Sequence, residues 1–229
     1  METLHNGFTL TIADGAFPLS TDSMLLSDFV RIRRDSNILD LGSGCATLGL
    51  LLCAKSQQCT VTGIELDEKA HNAALDNIRR NDLNSRLHSI CADLRTVNCI
   101  FGAGSFRCCV SNPPYFSGGP ASHSLPIARR DDFCTTDELF QAAAWALQFG
   151  GDFYIVHKPE RLGQLCGCAV KHGLEPKHLR LVRHHENGPV SLILLHCRKG
   201  GKVGMTLDEI TLFDATNTPT SYYKDLYHI

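Results

Sequence analysis

Asn112, Pro113, Pro114, Tyr115 and Phe116 stand together in the stretch SNPPYF, directly after the apolar run FRCCV. Asn112 precedes a proline, which biases it to extended backbone, and the two prolines are stiff and carry no N–H. The group therefore offers mainly acceptors: the side-chain oxygen of Asn112 and the neighbouring backbone carbonyls. Such a set suits a substrate donating two hydrogens from one nitrogen, an exocyclic amine or a primary amide. An amine of that kind is a poor nucleophile, because its lone pair is delocalised into a ring or carbonyl. Two acceptors that pull its hydrogens toward tetrahedral directions localise the lone pair and aim it, which is catalysis by positioning and transition-state hydrogen bonding. Asn112, Pro113 and Tyr115 are the expected catalytic residues. Tyr115, with Phe116 beside it, would stack on a planar substrate, a contact worth about 1–3 kcal/mol for a base. A plain tight turn after a strand would also use these residue types, and a second motif decides against that reading.

The second motif is Asp40-Leu41-Gly42-Ser43-Gly44-Cys45-Ala46-Thr47. Its glycines let backbone approach a ligand closely. A dinucleotide fingerprint would need a third glycine where Thr47 stands. Asp40 would repel a pyrophosphate and suits a ligand carrying an ammonium group. Glu65, at the end of the next strand-like run, can accept both hydroxyls of a ribose. Asp93, at the end of the run after that, can read an adenine edge through its carboxylate or a neighbouring amide. An acid at a strand end is as often a helix cap or a solvated loop residue. Three of them at consecutive strand ends, beside the glycines, converge on one crevice. Together they describe a pocket for an adenosine with an amino-acid-like cationic tail, which is S-adenosylmethionine. Attack on its sulfonium methyl needs no strong base, since the product proton can leave to water.

The elements that must hold these residues alternate along the chain. Strand-like runs fall at residues 37–41, 59–66, 87–93, 106–112, 152–158, 178–184 and 191–197, separated by helix-like stretches, the pattern of a parallel sheet covered by helices. The last two runs are joined by too few residues for a crossover helix, so they should form an antiparallel edge pair. The expected fold is α/β and Rossmann-like, a mostly parallel seven-stranded sheet with an antiparallel edge hairpin and helices on both faces. Leu48, Leu51 and Leu52 share one helical face, and Ala70, Ala74 and Ile78 another, behind an Asp67 cap. Thr135 and Glu138 form a capping box for a helix with Leu139, Ala142, Ala143, Ala146 and Leu147 on its core face, stopped by Gly150-Gly151. The division expected is an N-terminal segment, residues 1–35, packed on a core of residues 36–199, and a tail of residues 200–229 with a short strand at ITLFD and a short helix at 222–227.

Composition bounds the function. With 229 residues the chain suits one domain, and its net charge of −2 argues against bulk electrostatic binding of nucleic acid, leaving only a local basic face. Arg129 and Arg130, with Lys177, Arg180, Arg183, His184 and His185, could form such a phosphate track. No apolar run is long enough for a bilayer and the N-terminus has no targeting pattern, so a cytoplasmic protein is expected. The eleven cysteines read as reduced, buried small hydrophobes, exemplified by Cys45, Cys53, Cys91, Cys108, Cys109 and Cys197, and no metal is expected.

The motifs resemble those of class I S-adenosylmethionine-dependent methyltransferases with an Asn-Pro-Pro-Tyr site. Over nearly its full length the chain is similar to the bacterial valine-tRNA adenine-N6 methyltransferase family, through Thr21-Asp22-Ser23, DLGSG, NPPYF, Ala128-Arg129 and FYIVHKPERL at 153–162. The resemblance implies that Thr21 and Asp22 border the methionine end of the cofactor, and that the substrate is an adenine N6 amine in tRNA, with Phe116, Arg129 and Arg130 touching the RNA. Two positions depart from the family pattern: Ala46 replaces a glycine, and Ala128-Arg129-Arg130 stands for Ala-Arg-His. The rival is a glutamine-amide methyltransferase acting on a translation factor, but such enzymes carry a substantial helical domain ahead of the core. A catalytically dead fold serving as a binding partner would have lost these motif residues.

Overall fold

The computed structural model describes residues 2–4, 7–13, 19–114 and 134–228. A short antiparallel pair, β1 (Glu2–Thr3) and β2 (Thr9–Leu10), precedes helix α1 (Thr21–Phe29). Then come β3 (Ser36–Leu41), α2 (Thr47–Lys55), β4 (Cys59–Glu65), α3 (Glu68–Arg80), β5 (Leu87–Cys91), α4 (Val97–Ile100) and β6 (Phe106–Ser111). After the undescribed stretch follow α5 (Thr136–Ala146), β7 (Leu147–His157), α6 (Leu162–Lys171), β8 (Leu174–His185), β9 (Val190–Lys199), β10 (Thr206–Phe213) and α7 (Ser221–Tyr227).

The main sheet has eight strands in the order β10-β8-β9-β7-β6-β3-β4-β5. All neighbours run parallel except β9, which is antiparallel to both β7 and β8. Sequence patterning predicts seven strands with the hairpin at the edge. The hairpin exists, but β10 pairs parallel to β8 outside it, from Thr206 opposite His178 to Phe213 opposite His185. The short tail strand expected at ITLFD is the end of β10, which starts earlier, at Thr206, and joins the main sheet; only Leu212 of it is buried.

Alternation on the central strands divides the core into two layers. On β3, Ile38 packs into the layer under α1, α2 and α3, while Leu39 and Leu41 pack into the layer under α5 and α6. Helix α2 is buried on more than the expected face, with Gly49, Leu50 and Cys53 covered as well as Leu48, Leu51 and Leu52. It can lie that close to the sheet because a side-chain carbon at Gly49 would meet Leu87 at 2.6 Å.

Local signals set the helix starts. Asp67 caps α3, accepting from the amides of Lys69 (2.7 Å) and Ala70 (3.3 Å). Thr135 and Glu138 make the expected reciprocal capping box on α5. Its expected stop is displaced: α5 ends at Ala146 and the chain enters β7 at once, while Gly150-Gly151 sits within β7 where its register against β6 shifts. A side chain at Gly151 would come within 2.9 Å of the Gln148 carbonyl, so the pair serves a bulge rather than a helix terminus. Cys45, Cys53, Cys108, Cys109 and Cys197 are buried free thiols as expected; Cys91 is exposed, at the end of the outer strand β5.

Candidate active site

The carboxyl ends of β3, β4, β5 and β6 meet on one side of the sheet. From β3 the chain turns through Gly42 (φ 79°), Gly44 (φ 53°) and Ala46 (φ 65°) into α2. The amides of Gly42 and Ser43 both donate to the Ile64 carbonyl at 3.0 Å, which clamps the loop to the end of β4. Gly44 donates its amide to Glu65 Oε2 at 2.7 Å, and the Asp67 amide donates to Glu65 Oε1 at 2.8 Å. Glu65 thus ties the glycine loop to the start of α3. Each carboxylate oxygen has used one of about two lone-pair positions, so acceptor capacity remains for a ligand hydroxyl.

Asp40 lies beneath this loop, and its Oδ2 is buried without a hydrogen-bond partner among the described residues. Burial, and next the neighbouring charge of Glu65, push its carboxyl up to about 8. Ser43 Oγ is likewise buried without a partner. Orphaned polar atoms of this kind are rare in folded proteins. An ammonium at this place would satisfy Asp40 and restore its charge, so the residues fit the methionine end of S-adenosylmethionine. Gly63 belongs to the same arrangement: a side-chain carbon there would lie 2.4 Å from Ser43 Oγ. The sequence reading passed over it, although a lone glycine inside TVTGIEL is the signal of close backbone approach.

Asp93 follows β5 and caps the 3-10 turn Leu94–Thr96, accepting from the Arg95 amide at 2.9 Å. The Arg95 side chain also binds both carboxylate oxygens, Nε lying 3.0 and 2.8 Å from them, and holds the carboxyl below its usual range. Its carboxylate is thus already engaged within the chain.

Asn112 follows β6. Its Nδ2 donates to Ser23 Oγ of α1 at 3.0 Å, which fixes the side chain with Oδ1 as its acceptor end. Next to it, Ser111 Oγ donates to the Leu41 carbonyl at 2.7 Å, tying the end of β6 to the root of the glycine loop. Asn112 and the stiff Pro113 are therefore joined on one side to α1 and on the other to the Asp40 loop. Tyr115 and Phe116, expected to stack on the substrate, and Arg129 and Arg130, expected to touch the RNA, lie outside the described residues.

Thr21 and Asp22 open α1, behind the Ser20 cap. The Thr21 hydroxyl lies 3.0 Å from the Tyr227 hydroxyl of α7, and Tyr222 of the same helix donates to Asp28 at 2.7 Å. Helix α7 thus braces the helix that orients Asn112. A run of rings leads to it, from exposed His184 through Phe213 (centroids 5.0 Å apart) and Tyr223 (4.8 Å) to Tyr227 (4.5 Å). At the end of β7, burial and next the charge of Arg161 push His157 down to about 4, and its Nδ1 accepts from the Lys158 amide at 2.8 Å. A neutral imidazole so bound carries its proton on Nε2. Sequence analysis names Ser23 and His157 only inside the motifs that carry the resemblance and gives neither a role, and it gives none to α7.

The expected basic track is divided by the fold. Arg180 is paired with Asp208 at 2.8 Å and Arg183 with Glu209 at 2.6 Å, both acids coming from β10. Lys177 lies at the start of β8 and His184 and His185 at its end, so the cluster does not form one continuous face. Among the described residues no group of three or more His, Cys, Asp or Glu could hold a metal ion.

The fold and crevice are those of a methyltransferase. Residues 18–164 match the model of the methyltransferase small domain family, and the chain belongs to it. A tRNA1(Val) (adenine(37)-N6)-methyltransferase of Photobacterium profundum is 31% identical over 202 residues, spanning 84% of each chain. A crystal structure described as a predicted O-methyltransferase from Agrobacterium tumefaciens superposes with a TM-score of 0.77 at 18% identity, over 91% of this chain and 96% of that one. The geranyl diphosphate C-methyltransferase of Streptomyces coelicolor A3(2), solved with Mg2+, geranyl diphosphate and S-adenosyl-L-homocysteine, shares the fold at a TM-score of 0.58 and 11% identity, over 77% of this chain and 79% of that one.

Proposed function

We propose that this protein methylates the exocyclic N6 amine of an adenine in tRNA, with S-adenosylmethionine as methyl donor. The observation that carries the proposal is the joining of Asn112, oriented by Ser23, to a loop over an unsatisfied buried Asp40. Bound S-adenosylmethionine supplies an electrophilic methyl group on a sulfonium. Asp40 takes the ammonium of the methionine end, with Gly42 and Gly44 giving backbone access and Thr21 and Asp22 bordering it. Glu65 accepts the ribose hydroxyls on its remaining lone pairs, and Asp93, already bound by Arg95, marks the adenine edge. Asn112 Oδ1 and the carbonyl before Pro113 draw on the two amine hydrogens, while Tyr115 and Phe116 stack on the base. Arg129 and Arg130 contact the RNA.

The name carried by the curated relative supports adenine in tRNA over a glutamine amide. An anticodon loop suits the reaction, because a single-stranded loop can splay one adenine into the crevice without opening a duplex. The enzyme would work in the cytoplasm, with the segments 1–35 and 200–229 bracing the core 36–199.

Offering unmodified tRNA and a release factor side by side with labelled cofactor tests the substrate, and label in the protein alone overturns the proposal. Asn112→Ala should slow single-turnover methyl transfer at least about a hundredfold with cofactor affinity nearly unchanged. A near-normal rate would remove Asn112 from the chemistry.

A further inference from the structure

Toward the β10 edge of the sheet lies a second concavity. His196 of β9, His178 of β8 and Thr206 of β10 line it, two to four strands away from β6, which leads into Asn112. Between these strands and the end of α1 is a cavity of about 480 Å³, with Arg31, Lys177, His178, His196, Arg198 and Thr206 in its wall. His196 on β9 and His178 on β8 are level with Val110 of β6 but two and three strands across from it, about 10 and 14 Å at about 4.8 Å per strand. A ligand in this cavity is therefore set to the side of the methyl-transfer chemistry.

The wall is organised and positive. Tyr154 stacks on His196 with centroids 4.5 Å apart, and Phe29 lies 4.9 Å from His178, so both imidazoles rest on buried rings. The nearby carboxylates are already taken. Asp208 binds Arg180 (2.8 Å) and His178 (3.1 Å); Asp152 binds Arg33 (3.1 Å), Arg198 (2.9 Å) and His196 (2.8 Å). Lys177 donates to the carbonyls of Lys202 and Gly204, which aims its ammonium and uses two of its three donors. Arg31 is exposed, and among the described residues no carboxylate pairs with it. In the wall itself Arg31, Lys177 and Arg198 stand with one acid, Asp208, in a chain whose net charge is −2. The Thr206 hydroxyl is spent on the Lys177 carbonyl at 3.2 Å, but the five N–H donors of Arg31 and the remaining donor of Lys177 exceed the roughly four lone-pair positions of a carboxylate. A phosphoryl group, with three oxygens and up to two charges, matches them. The volume falls within the range of about 300–1,000 Å³ found for small-molecule sites.

We propose that this cavity is a phosphate-binding site separate from the crevice, taking a phosphoryl group carried by a small organic phosphate or by an RNA backbone. Only the second source rests on the tRNA reading above. The test is calorimetric titration of inorganic pyrophosphate into the full chain and into Arg31→Ala/Lys177→Ala, neither residue being part of the Asp152 ion pairs. Binding that weakens at least about tenfold in a double variant of unchanged melting temperature supports the site. Should that variant melt lower, Arg31→Glu alone makes the same comparison. No binding to the unaltered chain at millimolar pyrophosphate, or equal binding to the variants, overturns it. A parallel tRNA-binding assay separates the sources. Competition by pyrophosphate, with a matching loss of tRNA binding in the double variant, assigns the site to RNA backbone. Lost pyrophosphate binding with tRNA binding unmoved assigns it to a small phosphate. Since the first arm contains neither RNA nor methyl transfer, failure of the tRNA reading leaves its result standing.

Discussion

Asp40 and Asp152 are nearly equal in burial, 2% and 4% exposed, and lie two strands apart in the same sheet, on β3 and β7. Their surroundings differ completely. Burial works to raise the Asp152 carboxyl, but hydrogen bonds from His196 and Arg198 outweigh it and hold the group below its usual range. Among the described residues no cation pairs with Asp40; burial and Glu65 drive it up to about 8, and one of its oxygens has no partner there. The protein completes one carboxylate with its own side chains and leaves the other to be completed by a ligand. A buried acid thus signals structure or function according to whether its partners are already in the chain.

The largest expected effect on cofactor binding comes from Asp40→Asn. Losing a buried charge-assisted contact should weaken S-adenosylmethionine binding about a hundredfold. The same change should help the ligand-free protein. With its carboxyl at about 8 when folded and near 4 when unfolded, the folded chain holds the extra proton, so stability falls as pH rises from about 4 to about 8. The variant escapes that loss, and its melting temperature should exceed the parent's by a margin that widens across this window. An unchanged affinity, or a variant that melts lower throughout, would break the comparison.

Asp152→Asn should do the reverse. It strands Arg33, Arg198 and His196 without their acid and should cost about 3 kcal/mol in urea unfolding, with cofactor affinity unmoved. A carboxyl held low when folded contributes stability above its unfolded range and loses it as pH falls through the folded value. The deficit should therefore shrink in acid, and one below about 1 kcal/mol at neutral pH would show the ion pairs to be incidental. The smallest effect belongs to Ser43→Ala. Deleting an unpartnered buried hydroxyl should leave the ligand-free protein unchanged or stabilise it by up to about 1 kcal/mol. A clear loss in its melting curve would mean that Ser43 has a partner and that the loop is already complete.

What could be read from the sequence was what lay close together in it. Asp40, the glycines and Glu65 are set by a strand, a turn and the next strand, and each announces itself by residue type at a predicted strand end. The capping signals at Asp67 and Thr135 were legible for the same reason. Illegible were pairings across long separations: Asn112 with Ser23, Tyr227 with Thr21, and Arg180 and Arg183 with Asp208 and Glu209. Read alone, those arginines look like a phosphate track; only the register of β10 on β8 shows their charges to be met. At Asp93 the neighbour two residues on already binds the carboxylate, a contact that residue type at a strand end does not announce.

Cutting the chain after β9, at the end of the core expected from sequence, would remove the whole outer ladder from Thr206–Phe213 against β8. A strand of twelve residues would then present bare N–H and C=O groups with Leu179, Leu181 and Val182 in its length. An edge of that kind templates pairing with further copies of itself. Such a truncation should reach the insoluble fraction of an expression culture, and its missing activity would be mistaken for loss of an RNA contact when the cause is aggregation.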